Sequence, residues 1–114
     1  MANEWAISGL PNMKVNCTNL IRLIKYRNLL PVELYISDIA RKELESIDID
    51  GIRYTIADMK YPIIVAEGME NPYNLPFRLI DGRHRILKHL YLNKKTVHSY
   101  VLTKNDILSF AELM

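Results

Sequence analysis

Apolar and polar positions alternate along this chain in two different periods, and the switches between them mark its elements. Leu20, Ile21, Leu23, Ile24 and Arg27 recur at helical spacing behind Asn16 or Thr18, either of which can cap a helix that must stop before Pro31. Val32 to Ile36 alternates as a strand does, and Ser37 then reads as the cap of a short helix through Ile39, Ala40 and Leu44. Ile47 and Ile49, the Asp50-Gly51 pair and the renewed alternation of Ile52, Tyr54 and Ile56 predict a β-hairpin over residues 47 to 56. Tyr61 to Val65 is a continuous apolar run, the mark of a strand buried on both faces. Gly68, Asn71, Pro72, Asn74 and Pro76 make Glu67 to Pro76 an irregular loop leading into a strand at Phe77 to Ile80. Ile86, Leu87, Leu90 and Tyr91 form a helical arc expected to face the sheet, with Arg85, Lys88 and His89 opposite. Val97 to Leu102 is a strand, and Thr103 with Asp106 three residues on predicts a capped helix over Ile107 to Met114. Residues 1 to 15, with Trp5, Gly9 and Pro11, carry no period and read as a flexible lead-in to one domain over 16–114. The fold class expected is α+β, a small mixed β-sheet with flanking helices.

Composition narrows the class without naming an activity. In 114 residues, 49% are hydrophobic and 25% charged, and no apolar run approaches the ~20 residues of a membrane span, so a soluble globular chain with no membrane partner is expected. A basic n-region and long apolar core of a secretory signal are not seen near Asn3 and Glu4, and the single cysteine, Cys17, cannot form an internal disulfide; the expected location is cytoplasmic. The net charge of +2 is small but unevenly spread. Between Arg83 and Lys104 lie six Lys or Arg residues, all three histidines and no acid, which makes that block a candidate anion-binding surface and no more surely that than a solvated helix face.

The chemistry concentrates at Asp81-Gly82-Arg83-His84-Arg85, between the strand ending at Ile80 and the helix beginning near Ile86. Glycine permits a tight turn and a close approach of backbone to ligand, and a helix start presents unpaired N–H groups and the positive dipole end. Arg83, His84 and Arg85 add side-chain donors there, two of them guanidinium forks that match phosphate or carboxylate; the plain alternative is a basic helix start capped by Asp81. His89, one turn beyond Arg85, is a supporting candidate, and Tyr73 in the preceding loop is the one side chain there that would stack on a base.

This turn, followed by a helix of about three turns, a Lys-rich turn and the strand Val97 to Leu102, resembles the ParB/sulfiredoxin-like family. The likeness reaches back to Tyr61-Pro62-Ile63-Ile64-Val65 and covers about Tyr61 to Leu102. The resemblance implies a ParB/sulfiredoxin-like fold and nucleotide phosphates bound at Gly82, Arg83, His84 and Arg85, with a nucleotide such as ATP or CTP, and Mg²⁺, as cofactors. Branches of that family serve DNA partitioning, sulfinic-acid repair, serine phosphorylation or nuclease activity, and the fold does not choose among them. Sulfiredoxins place a cysteine immediately before the His-Arg of this turn where this chain has Arg83, which argues against sulfinic-acid reduction. Clamp-forming ParB proteins add a helix-turn-helix and a dimerisation tail for which 114 residues leave no room.

Other chemistries find no pattern: zinc-type Cys/His spacing, Gly-x-Ser-x-Gly and the Walker A motif are all missing from the sequence. Two functions survive. One is a small nucleotide-binding enzyme transferring or hydrolysing a phosphoryl group, with Glu33 or Glu67 available as a base; its catalytic residues and acceptor are not assigned. The other is a non-catalytic regulatory or DNA-associated module acting through a partner protein.

Overall fold

The computed structural model describes residues 4–6, 13–41 and 60–113. The hairpin expected over residues 47 to 56 and Leu44 of the expected short helix lie outside the described residues. Two sheets and three helices make up the described part. Strand β1 (Glu4–Ala6) pairs antiparallel with β2 (Met13–Asn16), and β2 pairs antiparallel with β8 (Ala111–Leu113). The larger sheet holds β3 (Val32–Tyr35), β4 (Ile39–Ala40), β5 (Ile63–Glu67), β6 (Phe77–Asp81) and β7 (Thr96–Thr103) in the order β3-β7-β5-β6-β4. It is mixed: β5 runs parallel to β7, β4 parallel to β6, and the other pairs are antiparallel.

β5 sits at the middle of this order, as its unbroken apolar run requires: Ile63, Ile64, Val65 and Ala66 are all buried. Its alternate side chains feed two cores on opposite faces. Ile64 and Ala66 join Ile80, Leu102 and Val15 beneath Leu20 and Ile24 of α1 (Cys17–Tyr26) and Ile107 of α3 (Lys104–Ser109). Ile63 and Val65 join Leu79, Val97, Ile36 and Ile39 beneath Ile86 of α2 (Arg83–Tyr91), with Leu90 packed alongside. One sheet thus separates α1 and α3 from α2, so a small mixed α+β domain is what the sequence builds.

Local chemistry explains the helix ends. Asn16 caps α1 by accepting from the Thr18 N–H at 2.8 Å. Thr103 and Asp106 form a reciprocal capping box at α3, the Thr103 hydroxyl accepting from Asp106 N at 3.1 Å and the Asp106 carboxylate from Thr103 N at 3.0 Å.

Three expectations are corrected. Ser37 starts no helix: Ile36–Asp38 is a single 3₁₀ turn, and Ile39–Ala40 is a strand alongside Phe77 and Arg78. The last helix stops at Ser109 instead of running to Met114, because Ala111–Leu113 pairs with β2. On α2, His89 is buried at 9% exposure and Tyr91 stands out at 59%, the reverse of the expected arc. Ile86 and Leu90 set the buried stripe, and His89 can enter it because its ring is satisfied inside its own helix. Residues 1 to 15, which show no period, contribute β1 and most of β2.

Candidate functional site

The turn between β6 and α2 is built around Gly82. Its φ of +105° lies in the left-handed region, and a Cβ there would stand 2.6 Å from Ile63 Cγ2 and 3.3 Å from Ile63 Cα. Glycine is therefore demanded twice, by backbone conformation and by close packing on β5. A register shift precedes it: Asp81 pairs with Ile64 while Leu79 pairs with Val65, which leaves Ile80 as an extra residue on β6. Residues opposite each other in an antiparallel pair share a face, so the shift brings Asp81 to the side of Ile64 and α1. The thiol of Cys17, the first residue of α1, responds to it. Burial, and secondarily the Asp81 charge, push that thiol up from 9.0 to about 12.

Arg85 closes the turn. Its Nη1 donates to the Pro62 carbonyl at 2.7 Å and its Nη2 to Asp81 Oδ2 at 3.3 Å, so one half-buried guanidinium ties the entry of β5, the exit of β6 and the first turn of α2 together. Two of its five N–H donors are engaged in this brace, and Asp81 is the partner of Arg85 and not the N-cap of α2.

That N-cap is Gly82, which has no side chain to offer. The first backbone bond of α2 runs from Ile86 N to Gly82 O at 3.0 Å, so the N–H groups of Arg83, His84 and Arg85 precede the helix ladder, and the N-cap residue supplies no side-chain acceptor for them. α1 and α3 are both closed by their own side chains; α2 is the described helix that is not. Arg83 and His84 are half-buried, His84 is engaged by a neighbour, and Arg83 makes no side-chain bond among the described residues. Gly82, Arg83, His84 and Arg85 thus meet at one helix start, offering backbone N–H groups and a guanidinium to an anion.

His89 does not join them. It is buried one turn along, and its Nδ1 lies 2.7 Å from the Arg85 carbonyl, a contact in which the ring N–H donates. Its structural part is to help fix the carbonyl of the residue that braces the turn. The two acids named as bases stand elsewhere. Glu67 is at the far end of β5 from Ile63, ~13 Å away at strand rise, and Glu33 lies on edge strand β3, where it accepts from the Thr96 hydroxyl. The acid-free block is dispersed too, since Lys94 and Lys95 follow the C-terminal end of α2, a helix ~13 Å long. Among the described residues no three His, Cys, Asp or Glu side chains come together as a metal site, and no helix is long and apolar enough to cross a membrane.

A second feature lies at the other end of β6. Ile39, Arg41, Tyr73, Leu75 and Leu90 line a half-open cleft of about 350 Å³. Tyr73, singled out in the sequence, is one of its lining residues; Arg41 was not singled out, because nothing local marks an arginine after a two-residue strand.

No family model, curated protein or solved structure matches this chain.

Proposed function

We propose that this chain is a small nucleotide-phosphate-binding domain of ParB/sulfiredoxin-like type, which holds phosphate at the start of α2 through the backbone of Gly82 to Arg85 and the side chains of Arg83 and His84. The observation that carries the reading is the helix start: Gly82 is held left-handed against Ile63 and, as the N-cap, supplies no side-chain acceptor to the N–H groups that follow. Arg85 acts in this reading mainly by setting the turn, since it is bonded to Pro62 and Asp81. Any Mg²⁺ would be carried on the phosphates of ATP or CTP, because the one described acid in the turn, Asp81, is paired with Arg85.

The test is a titration of ATP, CTP, ADP and GTP with Mg²⁺ into the wild type, Arg83→Ala and Lys94→Ala. Saturable binding is expected, weakened roughly ten- to a hundredfold by Arg83→Ala, the equivalent of about 1.5–3 kcal/mol for a charge-assisted contact. Lys94→Ala, beyond the far end of α2, leaves it unchanged. A folded protein that binds none of the four, or binds them indifferently to Arg83, overturns the proposal.

The position of Glu33 and Glu67 favours a second reading over a phosphoryl-transfer enzyme: the same turn serves a non-catalytic regulatory or DNA-associated module working through a partner. Phosphate release from bound ATP or CTP decides between catalysis and binding. A DNA module instead shows affinity that falls steeply with salt and depends on Lys94 and Lys95 as much as on Arg83.

A further inference from the structure

The cleft lined by Ile39, Arg41, Tyr73, Leu75 and Leu90 has the makings of a separate site. Leu90 stands seven residues beyond Arg83, ~10 Å along α2, and Ile39 lies beside Phe77 at the start of β6 while the phosphate-type turn follows its end. Its volume of about 350 Å³ is that of a small-molecule pocket and holds about a dozen waters.

Its walls are set in advance. Asn71 clamps the loop from both sides: its Oδ1 accepts from the N–H groups of Tyr73 at 3.2 Å and Leu75 at 3.0 Å, and its Nδ2 donates to the carbonyls of Met69 at 3.2 Å and Leu75 at 2.8 Å. Tyr73 and Leu75 are thereby carried on a bonded scaffold. Arg41 is oriented from the opposite wall, where Nη1 donates to the carbonyls of Ile39 at 3.2 Å and Ile36 at 3.4 Å. Its Nη2 and Nε make no bond among the described residues, and they leave one edge of the fork for a ligand.

We propose that this cleft binds a small monocarboxylate carrying a flat apolar group. The apolar body would lie among Ile39, Leu75 and Leu90 against the Tyr73 ring, with its carboxylate on Arg41. A single guanidinium matches a single negative charge, and its planar fork matches a carboxylate better than a polyphosphate, which sets this ligand apart from the nucleotide proposed at the turn.

The experiment is an NMR titration of the wild-type protein with 3-phenylpropionate, with the neutral 3-phenylpropanol, with propionate and with ATP. Phenylpropionate should shift the methyls of Ile39, Leu75 and Leu90 and the ring of Tyr73, and the alcohol and propionate should each bind at least ~10-fold more weakly, because one lacks the charge and the other the ring. Arg41→Gln should reproduce the loss seen with the alcohol, Tyr73→Ala should weaken binding about three- to tenfold, and Leu90→Trp should abolish it by filling the cleft. Arg83→Ala should leave phenylpropionate unaffected, so failure here and failure of the nucleotide reading are told apart. The neutral alcohol carries the charge test on the native protein should Arg41→Gln not fold. Equal binding of acid and alcohol, ATP displacing phenylpropionate from these methyls, or no shift of these methyls at ~10 mM, where even a weak fragment registers, overturns the proposal.

Discussion

Gly82 is the residue on which the turn depends, and its cost of replacement follows from two independent facts. A φ of +105° is strained for any L side chain, and a Cβ would overlap Ile63 Cγ2 at 2.6 Å. Gly82→Ala should destabilise the fold by about 2–4 kcal/mol, the sum of left-handed strain and overpacking, readable as a lowered Tm. Shortening Ile63 as well should recover only part, because the backbone strain stays. Cys17 gives a second prediction at this scale. Cys17 lies far along the chain from the turn, yet folding brings it within the field of Asp81. Burial and that carboxylate raise its thiol to about 12, so it remains protonated throughout pH 7–9. A disulfide-exchange reagent should label it slowly in the native protein and at the ordinary rate in denaturant; fast native labelling would contradict the burial.

At the scale of elements, what was legible in the sequence was what neighbours along the chain decide. Asn16 and the Thr103/Asp106 pair were readable as caps, and β5 as a central strand, because capping needs residues two or three apart and double-sided burial leaves an unbroken apolar run. His89 was not readable as buried, since a histidine enters a core only when a particular acceptor awaits it, and the Arg85 carbonyl is set by the helix itself. The α3 cap carries a pH prediction. Burial alone would raise the Asp106 carboxyl, but bonds from the Thr103 N–H, the Arg27 guanidinium at 2.9 Å and the Thr103 hydroxyl outweigh it and hold the carboxyl below its ordinary 3.8. A depressed folded-state pKa means stability fully present above the unfolded value and lost as pH falls through the folded one. Acid below about pH 4 should therefore loosen α3 from Arg27 at the end of α1, and Asp106→Asn should flatten that limb of the stability curve while lowering stability at pH 7 by about 1 kcal/mol. An acid limb of unchanged slope in Asp106→Asn would remove Asp106 from this role.

At the scale of the whole molecule, the elements the sequence hid are the ones defined by distant partners. Ala111–Leu113 follows a capped helix and has nothing local to stop it continuing as one; it is a strand because β2, about a hundred residues earlier, offers an edge. Ile39–Ala40 likewise becomes a strand by lying alongside Phe77 and Arg78. The small β1-β2-β8 sheet thus ties the start of the described chain to its end, and β2 leads directly into α1, whose Leu20 and Ile24 roof the core over Ile64 and Ala66. Ending the chain after Phe110 removes β8, exposes the edge of β2 and leaves Val15, fully buried and paired with Ala111, without its neighbour. The truncated chain should lose about 1–3 kcal/mol, from the missing ladder bonds and the uncovered apolar surface, and hydrogen exchange should accelerate along β2 and the first turn of α1 while β5 and β6 keep their protection. Equal acceleration in all strands would mean that the two sheets unfold as one unit. Unchanged protection of β2 would mean that β8 contributes nothing to it, and the long-range tie would then rest on the shared core and the Arg27–Asp106 pair.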